Sequence, residues 1–118
     1  MQITYFRAAG LLGLALLTGC ATKVPTLYQW GSYQDQIYTQ YAEPGKVPLN
    51  AQIVAMEADL QKTDLQALKP PPGYHAQLGY LYFQAGKSGQ AVQSFTTEKS
   101  LFPESTVFMD LLIQHAKK

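Results

Sequence analysis

The chain has 118 residues, with 9 lysines plus arginines against 8 acids, a formal net charge of +1 and a single cysteine. Near-neutral charge argues against a nucleic-acid partner, since binding phosphate requires a basic surface. One cysteine and two well-separated histidines, His75 and His115, are too few ligands for a Cys/His zinc site, so no metal or diffusible cofactor is expected.

The first residues, MQITYFRAAG, carry Arg7 as their only charged side chain, and residues 8–17 contain only alanine, glycine and leucine. A short positive head before an apolar run is the pattern of a secretory signal peptide. A membrane-spanning helix is disfavoured, because residues 8–19 would extend about 18 Å against a hydrocarbon core of ~30 Å. The run closes on Leu17, Thr18, Gly19 and Cys20. This LTGC stretch resembles the lipobox of bacterial lipoproteins. That resemblance implies cleavage before Cys20 and a covalent diacylglycerol and N-acyl chain on it. Two or three acyl chains hold a protein at a membrane where one holds only marginally. No aspartate follows Cys20, so by the same resemblance the expected address is the periplasmic face of the outer membrane. The expected division is residues 1–19 as signal peptide, 20–27 as lipidated tether and 28–118 as a helical domain.

In the domain, Trp30, Ile37 and Tyr41 recur at helical spacing, which predicts a helix over 28–42 stopped by Pro44 and Gly45. A second helix is predicted from Asn50, as N-cap, to a point before Pro70, with Ile53, Met56 and Leu60 on one face. PPPG (70–73) reads as a connector. A third helix follows, with Leu78, Leu81, Tyr82 and Ala85 inward and Gly86 closing it. Ser88 is the expected cap of a fourth, in which Ala91, Phe95 and Glu98 line one side and Val92, Lys99 and Phe102 the neighbouring one. Pro103 ends it, and Ser105 is the expected cap of a fifth whose face is Phe108, Leu111, Leu112 and His115. No segment alternates with period two, so the fold class predicted is all-α, with about five helices.

Residues 72–105 resemble a tetratricopeptide repeat. Leu78 and Gly79 occupy its Leu-Gly pair and Tyr82 the following aromatic position. Ala91 and Phe95 occupy the small and large positions, and Pro103 the closing proline. Gly79 and Ala91 would let the two helices approach, and Tyr82 and Phe95 would fill the space between. His75 and Glu98 depart from the pattern, standing where tryptophan and a small residue are usual. The last helix resembles the cap of such an array. The stretches LYQWGSYQDQIY, PPPGYHAQLGYLYFQAGK and EKSLFPESTVFMDLL are similar to a domain-of-unknown-function family of small bacterial lipoproteins. That resemblance implies an accessory subunit at the outer membrane, commonly encoded beside a lipoprotein of the curli-secretion-channel type, and no enzymatic activity.

Repeat arrays bury their faces by stacking, and about three units are needed for independent stability. One repeat, a partial one and a cap would leave a helix face for another envelope lipoprotein or a second copy, unless the second helix folds back as a cover. Trp30 is read as core or as an interface anchor. Glu98, Lys99, Glu104 and Ser105 form a candidate recognition patch around Pro103, although Glu104 and Ser105 equally suit a helix N-terminus. Aromatic residues of the repeat are also candidates for stacking on sugars or a small ligand. Ser88, Ser100 and Ser105 have no nucleophile motif around them, and acids such as Glu57 and Asp59 stand two apart, on different helix faces, so an enzyme is not expected.

Overall fold

A computed structural model describes residues 24–118, which form five α-helices: α1 (Tyr33–Ala42), α2 (Leu49–Leu65), α3 (Tyr74–Gln84), α4 (Ser88–Leu101) and α5 (Thr106–Ala116). A 3-10 turn, Pro103–Ser105, links α4 to α5. The body is all-α. The signal peptide and the lipobox residues Leu17, Thr18, Gly19 and Cys20 lie outside the described residues.

The α3–α4 hairpin holds the centre. Gly79 faces the Phe95 ring so closely that a Cβ there would stand 2.6 Å from Cε1, so the lack of a side chain is what lets the ring lie against α3. Ala91 and Phe95 on α4 and Leu78 and Leu81 on α3 are all buried. Ile53 and Met56 of α2 close the core on one side, and Met109 and Ala116 of α5 on the other. Fully burying side chains of this size contributes about 1.5–3 kcal/mol each.

Two helices end in the same way. At the end of α3, Gly86 takes φ +73°, Lys87 N donates to the Tyr82 carbonyl (2.9 Å) and Gly86 N to that of Phe83 (3.0 Å). This is the paired bonding of a Schellman motif. The end of α2 repeats it with Ala67, at φ +52°, where α3 has glycine; Leu68 N and Ala67 N donate to the carbonyls of Thr63 and Asp64.

Several expectations are corrected. Residues 28–32 are not helical: Gln29 N donates to the Lys69 carbonyl (2.9 Å) and Gly31 turns at φ +48°, so α1 begins at Tyr33 and Trp30 stands outside it. Asn50 is already inside α2, whose N-cap position is held by Pro48, and Ser88 is the first residue of α4 rather than its cap. The face of α5 is also turned. Met109, Leu112, Ile113 and Ala116 pack on the core, while Phe108 and Leu111 are exposed and so is His115. Both stripes have helical spacing, and packing against the core selects the one that includes Met109 and Ala116.

Candidate functional site

α3 lies between α1 and α5, and its outward side floors an open groove. Ala76, Gln77 and Tyr80 form the floor, Tyr33 and Tyr41 of α1 one wall, and Phe108 and Leu112 of α5 the other. The groove encloses about 440 Å³, and no charged side chain lines it. This volume lies within the range of small-ligand sites. Burial pushes the Tyr33 phenol above its ordinary value, helped by the charge of Glu98 and by Tyr41. Tyr41, Tyr80 and Phe108 are exposed. Beyond Phe108 the surface continues into a shallow hollow lined by Glu104, Val107, Asp110, Leu111 and Gln114. Val107, Phe108 and Leu111 thus form an exposed apolar row on α5.

The candidate patch around Pro103 is not a patch. Glu98 is only 2% exposed, and its carboxylate reaches across the hairpin to the start of α3. Oε1 accepts from Gly73 N (2.6 Å), and Oε2 accepts from His75 N (3.1 Å) and Ala76 N (3.3 Å). These are backbone donors of the kind that a helix start leaves without intrahelical partners, and a negative charge there also suits the helix dipole. The departure at position 98 from the tetratricopeptide pattern that the sequence resembles therefore has a structural reason: a buried acid stands there and caps the partner helix. Lys99 pairs with Asp110 across α4 and α5 (2.6 Å), and the Ser105 hydroxyl donates back to the Phe102 carbonyl (2.7 Å). Glu104 alone of the four is free to face a partner, beside the α5 row.

Trp30 is 40% exposed and belongs to a run of aromatic contacts, 6.5 Å from Tyr28 and 6.2 Å from Tyr33. Tyr82 is buried, and its hydroxyl donates to Glu57, so it offers no face for stacking. Pro103 opens the 3-10 turn. His75 is half-buried, and burial lowers its pKa against an opposing pull from Asp64.

Asp59 was not legible as important. It is buried in α2, and its Oδ2 accepts from both Ser32 N and Ser32 Oγ, each at 2.6 Å. A Cβ on Gly31 would stand 2.5 Å from its Cγ. The local sequence signal for this arrangement is the pair Gly31-Ser32, a turn and cap signature. Among the described residues, no three His, Cys, Asp or Glu side chains are placed to hold a metal ion, and no helix is long and apolar enough to cross a membrane.

The molecule is therefore an all-α body of packed helical hairpins carrying an uncharged aromatic groove. The chain belongs to a domain-of-unknown-function family, DUF4810, whose family model matches residues 27–112. No curated protein and no solved structure matches it.

Proposed function

We propose that this chain is a lipid-anchored accessory lipoprotein on the periplasmic face of the outer membrane, and that it acts as a protein–protein interaction module. The observation that carries this reading is the exposed row Val107, Phe108 and Leu111, continuous with the aromatic groove through Phe108. Contiguous exposed apolar surface rimmed by polar groups marks interaction sites. The LTGC stretch supports the anchor, with Cys20 as the acylated residue, and confinement to a surface raises the effective concentration of co-anchored partners. Another envelope lipoprotein, such as a channel lipoprotein of the curli-secretion type, is the partner class, with a second copy of this chain as the other. The test is a pull-down of the full chain from detergent-solubilised envelope. The wild type retains a partner that Phe108→Ser and Leu111→Ser lose; recovery of the bait alone counts against the reading.

The groove itself favours a second reading. Three tyrosines and a phenylalanine with amide edges and no charge suit a sugar of the cell wall or a small neutral molecule. Binding of sacculi by the wild type and its loss in Tyr80→Ala, with the helical spectrum kept, would favour it over protein docking.

A further inference from the structure

Of the five α-helices among the described residues, α1 alone buries no residue. Its attachments are few. Ser32 is held by Asp59, the Tyr33 ring lies 5.4 Å from that of Tyr74, and Gln77 Nε2 donates to Gln40 Oε1. Both ends have a glycine at positive φ, Gly31 at +48° and Gly45 at +83°, and Gly45 has open space where a side chain would be. Beyond these glycines the chain is fixed again. Gln29 is bonded to Lys69 on one side, and on the other Val47 accepts from Gln52 Nε2 (2.9 Å) just before α2. A ten-residue helix is marginal in water once its packing is lost.

We propose that α1 is a hinged arm that opens and unfolds between Gly31 and Gly45 while α2 to α5 stay folded. Opening removes the Tyr33–Tyr41 wall of the groove and uncovers the side of α3 that carries Tyr74, Gln77 and Tyr80. Opening thereby dismantles the groove, a consequence for binding that rests on reading the groove as the binding surface. The opening itself does not depend on that reading.

Hydrogen exchange of the full chain in detergent, followed at low urea, tests it. Amides of residues 36–42 are expected to be at least ~100-fold less protected than those of 78–82, with little dependence on urea, as for a local opening. Gly31→Ala, which drives a methyl into Asp59, is expected to accelerate exchange in 36–42 by about tenfold or more, with the urea dependence of that segment still slight. Equal protection with a common urea slope overturns the proposal. So does a Gly31→Ala variant that leaves 36–42 unchanged or gives it the urea slope of 78–82. A failed pull-down beside a positive exchange result removes the docking reading and leaves the hinge standing.

Discussion

Glu98 Oε1 accepts a 2.6 Å hydrogen bond from the backbone N–H of Gly73, a residue twenty-five positions earlier that immediately precedes the opposing helix of the hairpin. The bond makes the start of α3 depend on a side chain of α4. Glu98→Gln keeps the length and shape of the side chain but turns one acceptor into a donor that faces backbone amides. Bonds to charged groups contribute about 1.5–3 kcal/mol, and orphaned buried donors cost a similar amount. Glu98→Gln is expected to destabilise the fold by ~2 kcal/mol, read as a lowered urea midpoint at unchanged slope. A loss under 0.5 kcal/mol, the rough size of an ordinary surface substitution, would show that the cap is dispensable.

The contact between Gly79 and Phe95 predicts a packing effect of opposite origin. Gly79→Ala raises helix propensity, which favours the variant by about 1 kcal/mol. It also sets a methyl 2.6 Å from an aromatic carbon, and overpacking of this kind costs ~1–3 kcal/mol. Net destabilisation is expected, because the ring is buried and has little room to move. In a double-mutant cycle, Phe95→Leu should absorb part of the Gly79→Ala penalty. Strictly additive effects would show that the two positions do not press on each other.

Ala67 offers the reverse case. It closes α2 in the left-handed region, where an L side chain is strained by roughly 1–2 kcal/mol. Ala67→Gly relieves that strain and loses some unfolded-state restriction, for an expected gain of about 0.5–1 kcal/mol. A rise in thermal midpoint checks it; a fall would mean that the methyl of Ala67 is worth more than its strain.

The two possible faces of α5 separate cleanly by mutation. Met109 is 2% exposed, so Met109→Ala should cost about 2–5 kcal/mol. Phe108 is 58% exposed, so Phe108→Ser should change stability by no more than ~0.5 kcal/mol while weakening capture of a partner. A larger loss at Phe108 than at Met109 would mean that the helix presents its other face to the core.

Stability should also depend on pH through His75 and the buried tyrosines. The pKa of His75 is lowered in the folded state, chiefly by burial, so the unfolded chain binds the proton more readily. Its contribution is therefore complete above the ordinary value near 6.5 and is lost as pH falls below it. His75→Gln should flatten that acid limb. Tyr82 moves the other way. Burial and its bond to Glu57 push its phenol up to about 12. Its contribution is complete below the ordinary value near 10 and is lost as pH rises through the folded one. A phenolate absorbance titration should show Tyr82 ionising late, and Tyr82→Phe should remove that step.

The hairpin was legible because its signals are local and redundant. Gly79 and Gly86, the spacing of Leu78, Leu81 and Tyr82, and Pro103 all point to one arrangement, and the close approach at Gly79 and the turn at Gly86 are both present. Position 98 stood out as a departure, but its reason is a contact with residues 73–76, and nothing in the sequence near it names that contact. The start of α1 is not legible from periodicity, because Trp30 sits in helical phase with Ile37 although Gly31 breaks the backbone between them. In α5 two apolar stripes overlap, and periodicity cannot choose between stripes of equal spacing. The groove was illegible for a related reason. Tyr41, Tyr80 and Phe108 come from three helices and meet only through packing.

None of the five α-helices among the described residues receives a side-chain cap from its own N-cap residue; α3 is capped by Glu98 of α4, and the turn into α1 is held by Asp59 of α2. Such borrowing limits how the molecule can be taken apart. A peptide of residues 70–87 carries the repeat signature but leaves its cap behind, and so should be largely unstructured alone, whereas a graft of 70–102 takes both halves of the bond with it. Modularity in this chain resides in helix pairs, and the smallest portable piece is the hairpin.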